Sequence, residues 1–280
     1  DGAESINWLA AGKDTQHRQN VNKFVLDDNG AMWFASWGQG LTYISAQQQL
    51  QLRFRADAAN PAALASDRVQ TLFMDSKRRL WIGSVAGVNY IDSSNLNQIS
   101  RFAADEPTHP LYQNRIWWIT ESSEGIWFAT SDGIVLLPAD QSAAKRYYLP
   151  LSSSLQLERA REVRALQQFS SGLWASSANG IYRYQNTCDC FEQVPMPTAM
   201  ATPRFNVVHP QGDTLLWVGA AEGLFLLDTQ TRNWITTDNN YNFLPDIDVR
   251  TLFVNADDQL WVGSRDQGLF IGTPQHRVFS

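Results

Sequence analysis

Three arginines hold the same place in three copies of one pattern. Arg68, Arg115 and Arg204 each stand immediately before the first apolar residue of an alternating run, at Val69, Ile116 and Phe205. Asn20, Glu162 and Asp248 hold that place in three further copies, and Arg18, Arg161 and Arg250 lie within one or two residues of it. Guanidinium groups bind carboxylate or sulfate through paired N–H donors. Brought to one mouth of a ring, these side chains would receive an acidic ligand. Trp37 and Trp117, the latter beside Arg115, add flat faces suited to a sugar ring. With Arg265 the candidate ligand-binding set is Trp37, Arg68, Arg115, Trp117, Arg204, Arg250 and Arg265. A plainer reading competes with it: Arg68, Arg115 and Arg204 pair with Asp67, Glu162 and Asp248 and only tie neighbouring units together. Trp117 equally suits the interior.

Other chemistry is thinly represented. The chain carries no Gly-x-Ser-x-Gly nucleophile motif and no His-x-x-x-His pair. Its histidines, His17, His109, His209 and His276, fall at unrelated positions of the repeat, and His209 reads as a strand residue rather than a ligand. No catalytic residue, metal or cofactor is expected. Cys188 and Cys190 are separated by one residue. They read as a tight disulfide of an oxidising compartment, as half of a metal site, or as two unpaired thiols. The single-residue spacer makes the bridge geometry demanding, and two thiolates without further Cys or His nearby are poor zinc ligands.

The elements that must position the arginines come from a repeat. Val249 to Trp261 and Gly268 to Ile271 form an alternating apolar run, a polar turn, Leu-Trp-Val-Gly, a short loop and Gly-Leu-Phe-Ile. The same arrangement starts at Val21, Val69, Ile116, Val163 and Phe205, with its tryptophan at Trp33, Trp81, Trp127, Trp174 and Trp217. Such a period marks repeat architecture. Each unit offers four antiparallel strands, here a to d from the axis outward. In the second unit these are Val69 to Met74, Leu80 to Ser84, Gly87 to Ile91 and Asn97 to Phe102. A lone four-stranded sheet can bury neither both faces nor both edges, whereas sheets stacked radially bury their faces on each other. The tryptophan of strand b then fills the wedge between blades, and the glycine before strand c permits the tight return. The expectation is an all-β propeller of about six four-stranded antiparallel blades, one domain over residues 1–280, either whole or cut from a longer array. Ile6 to Leu9 and His276 to Phe279 both read as outer strands. A closed ring, with the N-terminal strand pairing near the last blade, is the favoured arrangement. The long d-to-a connections share a face with the b-to-c loops, where a rigid scaffold carries binding groups.

A net charge of −6 and a pI near 5.2 argue against nucleic acid and anionic membrane surfaces as general partners. No apolar run approaches the roughly 20 residues that span a bilayer, and no signal peptide is read. The chain opens at Asp1 without Met and is expected to be a mature or excised piece.

The pattern Val-x-x-Leu/Phe-x-x-Asp-x-x-Gly-x-Leu-Trp-x-Gly-Ser-x-x-Gly-Leu resembles the two-component regulator propeller repeat. Asp27 to Trp33, Asp75 to Ser84, and Leu260 to Ser264 with Gly268-Leu269 carry the resemblance best, over about residues 16 to 275. Phe128-Ala-Thr130 and Ala175-Ser-Ser177 depart from its Gly step. The resemblance implies a periplasmic or extracellular sensor module of a histidine kinase or diguanylate cyclase receptor, with an oligosaccharide among possible ligands. It implies a receptor dimer as a possible assembly and a membrane connection only through flanking segments. Two alternatives stand beside this reading, a protein-interaction scaffold and a metal-dependent lyase or lactonase propeller. The latter would want acids and Asn converging on the axis.

Overall fold

The structure is a computed structural model. It describes residues 21–279 apart from 48–49, 93–94, 96–97, 141, 151–160, 198–203, 237–240 and 274–277. Alternating apolar runs separated by turns give six four-stranded antiparallel sheets, each with its strands in chain order. The first sheet is β1 Val21–Leu26, β2 Met32–Ser36, β3 Gly40–Ile44 and β4 Gln51–Phe54. β5 Val69–Met74, β6 Arg79–Ser84, β7 Gly87–Asp92 and β8 Ile99–Arg101 form the second. The third comprises β9 Ile116–Ser122, β10 Gly125–Thr130, β11 Gly133–Pro138 and β12 Lys145–Tyr147. The fourth is β13 Val163–Phe169, β14 Gly172–Ser177, β15 Gly180–Gln185 and β16 Cys190–Gln193. β17 Phe205–Gln211, β18 Leu215–Ala220, β19 Gly223–Asp228 and β20 Trp234–Ile235 form the fifth. The sixth holds β21 Val249–Val254, β22 Leu260–Ser264, β23 Leu269–Thr273 and β24 Val278–Phe279. The outer strand of the second blade, β8, covers Ile99–Arg101 within the expected segment Asn97 to Phe102.

The sheets pack face to face as propeller blades, with the first strand of each against the first strand of the next. Trp33, Trp127, Trp174 and Trp217 are fully buried and Trp81 nearly so. Each core cluster joins adjoining blades: Trp33 packs with Val69 and Leu72, and Trp217 with Val249 and Leu252. Gly133 shows what the return into the third strand requires: its φ is +91°, and a Cβ there would lie 2.4 Å from the Tyr147 carbonyl oxygen.

One seam departs from the closed ring that the sequence favours. Among the described residues, nothing comparable to the packing between neighbouring first strands joins β21 back to β1. Phe24 is 60% exposed, while Leu72 at the same register of the next blade is 2% exposed. Leu269 is 55% exposed, while its counterpart Leu224 is completely buried. Among the described residues, the leading face of the first blade and the trailing face of the sixth therefore both lack the neighbour that the other faces possess. The outer position of the sixth blade is taken by β24, and Ile6 to Leu9 lie outside the described residues.

Glycine contacts report the same asymmetry. A Cβ on Gly219 would lie 2.4 Å from Val249 of the next blade and 2.7 Å from Val207. On Gly263 it would meet only Thr251 of its own sheet. Overpacking a filled seam costs about 1–3 kcal/mol. Gly219→Ala is expected to lose that much in urea titration, and Gly263→Ala distinctly less, because the exposed Thr251 can turn aside.

Candidate functional site

A bulge recurs at the start of every first strand. Pairing with the second strand skips one residue each time: Asn22, Gln70, Trp117, Arg164, Asn206 and Arg250. A bulge frees a side chain from the alternation of the sheet and re-aims it. Six bulges at one register thus form a ring of re-aimed side chains on the face of the d-to-a and b-to-c loops. The residues just ahead of the strands line the same end. The carbonyls of Arg68, Arg115, Arg204 and Asp248 accept from Val85, Ser131, Ala221 and Arg265 at 2.9–3.2 Å, extending each ladder by one step. Two bulge side chains hold blades together: Asn22 donates to the Val69 carbonyl at 2.8 Å and Asn206 to the Val249 carbonyl at 3.0 Å.

The candidate residues fall into separate groups. Arg115 and Trp117 come together in the third blade, with the Arg115 guanidinium 5.2 Å from the indole centroid. Arg164 of the fourth blade, not singled out from the sequence, stands 4.5 Å from the same ring and pairs with Glu162 at 3.1 Å. Trp37 pairs backbone to backbone with Arg68, whose guanidinium lies 5.6 Å from its ring. Arg250 and Arg265 both reach Asp248, at 2.5 and 3.8 Å. Arg204 stands apart from them and pairs with Glu222 at 3.2 Å. Arg161 pairs with Asp132 at 3.4 Å, whereas Arg18 and Asn20 lie outside the described residues. Arg204, Arg250 and Arg265 are thus balanced by carboxylates. Arg68 and Arg115 instead lean on indoles, with no ion pair among the described residues. The partners differ from those read from the sequence, since Asp67 pairs with Arg55 and Glu162 with Arg164.

Two polar atoms in this ring are withheld from water without a hydrogen-bonding partner among the described residues: Gln70 Oε1 and Trp117 Nε1. They belong to adjacent blades. Further along the first strands, Lys23 extends its ammonium to 4.2 Å from the centroid of Trp118. It lies close enough to His209 to hold down that imidazole's pKa, though burial is the larger cause there. Burial also lowers the pKa of Lys23 itself, and no carboxylate pairs with it among the described residues. His209 Nδ1 lies 2.8 Å from the Pro210 carbonyl, an acceptor, which places the ring proton on Nδ1. Lys23, Trp118 and His209 come from the first, third and fifth blades, so they meet at the axis. The signal for Lys23 was its charge in the first strand of a blade, where the other blades place Thr71, Trp118, Ala165, Val207 and Thr251.

Away from this mouth, Cys188 and Cys190 form a disulfide. Asp189 between them accepts from the hydroxyls of Tyr184 at 2.6 Å and Tyr147 at 2.7 Å. These bonds hold its carboxyl below the usual carboxylate range, while burial, then the bond to Asp189, pushes Tyr184 up to about 12. The bridge thus presents an acid that ties the third blade to the fourth. Among the described residues, no three His, Cys, Asp or Glu side chains converge as metal ligands, and no helix is long and apolar enough to cross a membrane.

No family model matches the chain. A 72-residue stretch, 26% of the chain and 5% of the relative, is 28% identical to histidine kinase P4 of Formosa agariphila. Among solved structures, the extracellular domain of a hybrid two-component system from B. thetaiotaomicron superposes with a TM-score of 0.71 at 17% identity. That match covers 93% of this chain and 35% of the other, so the chain spans about a third of that structure. Virginiamycin B lyase from Staphylococcus aureus, solved with quinupristin, superposes with a TM-score of 0.70 at 16% identity, over 95% of this chain and 85% of the lyase. The chain is therefore a β-propeller that shares its fold with the extracellular domain of a two-component system, and one short stretch of its sequence with a histidine kinase.

Proposed function

We propose that the chain is a non-catalytic, extracytoplasmic sensing propeller of a bacterial signal-transduction receptor, and that the ring of bulge residues binds a small acidic carbohydrate. The observation that carries this reading is the cluster around Trp117. Two guanidinium groups stand on one indole whose N–H has no partner among the described residues, and Gln70 Oε1 of the adjacent blade has none there either. A hydroxyl-rich ligand that shifts the covering guanidiniums supplies an acceptor for Trp117 Nε1 and a donor for Gln70 Oε1. Its carboxylate takes Arg115, which no acid claims among the described residues, or reaches Lys23 at the axis. Buried polar groups left unpaired cost about 1–3 kcal/mol each, so satisfying both favours binding beyond charge attraction. The fold shared with an extracellular two-component domain supports the sensing role and the location.

Calorimetric titration with galacturonate, and with galactose as its uncharged counterpart, tests the reading. Millimolar or tighter binding of the uronate, weaker binding of galactose, and at least a tenfold loss in Trp117→Ala are expected. A wild-type protein that takes up neither sugar at millimolar concentration, or a Trp117→Ala variant that binds as well as wild type, refutes it.

A further inference from the structure

The wedges between blades are not equally filled. Between the third and fourth blades four aromatic rings crowd together: Trp127, Tyr147, Tyr184 and Phe191, with centroids 5.0–6.0 Å apart. Between the second and third, the third blade contributes Ala139, Ala143 and Ala144 at the corresponding rim, and a cleft of about 660 Å³ remains. Its walls reach from Lys77 and Arg79 at the β5–β6 turn and the start of β6 to Ser122 and Gly125, which flank the β9–β10 turn. These turns lie at the opposite end of the strands from the bulge ring. The connection after β8 covers the cleft with Phe102 and His109.

The interior is apolar and aromatic. Phe102 stands edge-on to Trp81 at 5.7 Å, His109 stands edge-on to Phe102 at 5.3 Å, and Ile126 and Leu137 complete the wall. His109 Nδ1 accepts the Leu111 N–H at 3.1 Å, which leaves the proton of the neutral ring on Nε2 as a donor. Burial lowers the pKa of this imidazole, so it is neutral at pH 7. The charges at the rim cancel in sign: Lys77 and Arg79 against Glu106 and Glu121. Arg79 is held by Asp75, and Glu121 accepts from the Ser76 amide and hydroxyl.

We infer that this cleft is a second binding site, separate from the bulge ring, for an uncharged aryl compound of two or three rings that carries a carbonyl or ether oxygen. The volume lies within the roughly 300–1,000 Å³ typical of small-molecule pockets. The edge-on rings of Phe102 and His109 suit a flat aromatic guest. An uncharged guest suits a rim with no net sign, and its oxygen meets the Nε2–H of His109.

Prodan, an uncharged naphthalene bearing a carbonyl, is a direct probe, since its emission shifts to the blue on leaving water. One saturable site is expected, with affinity unchanged by 10 mM galacturonate. Filling the cleft with Ala144→Trp should weaken binding at least tenfold. Ala143→Phe, at an exposed rim position, should weaken it severalfold with no threat to folding. The open seam offers prodan another apolar surface, so Phe24→Ser serves as a control and should leave the saturable site intact. Binding that does not saturate, that survives both filling variants, or that disappears in Phe24→Ser overturns the inference. Displacement by galacturonate would assign the signal to the bulge ring and overturn it too, without touching the sugar-binding reading.

Discussion

Replacing Asp75 by Ala is expected to destabilise the protein by about 2–4 kcal/mol, the cost of leaving the buried Trp81 N–H and the turn amides without their acceptor. The Asp75 side chain is fully buried. Oδ1 accepts from the amides of Lys77 at 3.0 Å and Arg79 at 2.8 Å. Oδ2 accepts from Arg79 Nε at 2.7 Å and Trp81 Nε1 at 2.8 Å. One carboxylate therefore closes the β5–β6 turn, anchors an arginine and satisfies the indole that fills the wedge between two blades. Alanine strands four donors, one of them the Trp81 indole N–H, which cannot reach water without disturbing the wedge. Asp27 provides the comparison. It accepts from the amides of Asn29 and Ala31, both at 2.9 Å, but no indole reaches it, and Trp33 Nε1 has no partner among the described residues. Asp27→Ala should cost about 0.5–2 kcal/mol, as for a local side chain that caps backbone amides. Urea midpoints at constant m-value give both figures. Equal losses would mean that the link to Trp81 and Arg79 contributes nothing.

That difference bears on what the sequence discloses. The repeat shows that an acid or amide opens the turn in the first, second and sixth blades, because Asp27, Asp75 and Asn255 stand at one register. It does not show which of them reaches the tryptophan. The link is made by different chemistry in different blades: Asp75, Ser122, Ser171 and Gln211 each accept from the local indole. Blade boundaries were legible because strand periodicity and turn glycines are local properties. The second blade matches its predicted first strand, Val69 to Met74, residue for residue. The bulge ring was harder to read. A bulge imposes no residue type, and Asn, Gln, Trp, Arg, Asn and Arg share nothing but register. Trp117 and Arg250 were singled out for their chemistry, whereas Gln70 and Arg164 belong to the ring only through backbone geometry. The open seam was invisible for a further reason: Phe24, Phe253 and Leu269 are as apolar as the residues that fill the other seams. The pattern records which faces are built to be covered and not whether a neighbour is present.

The seam supplies the second large effect. Trp217 and Trp261 hold the same register of the second strand in consecutive blades. Trp217 is completely buried, stands edge-on to Phe243 at 5.3 Å, and donates to Gln211 Oε1 at 2.6 Å. Its cluster includes Val249, Leu252 and Val262 of the sixth blade. Trp261 faces the open side, is only partly buried, and its Nε1 has no partner among the described residues. Truncating a buried tryptophan costs about 3–5 kcal/mol, the sum of lost transfer energy and the cavity left behind. Trp217→Ala should fall in that range. Trp261→Ala should cost about 1–2 kcal/mol, since part of its apolar area is already in water and no neighbouring blade encloses a cavity. Stacked repeats draw stability from each neighbour interface in turn, so the sixth blade, with one such interface among the described residues, should also open more readily than the fourth, which has two. Amide exchange reads this directly: protons of β22 should exchange well before those of β14, and Trp217→Ala should speed β22 further while leaving β14 close to wild type. Equal losses from the two tryptophans, or equal protection of the two strands, would mean that the trailing face of the sixth blade is covered in solution.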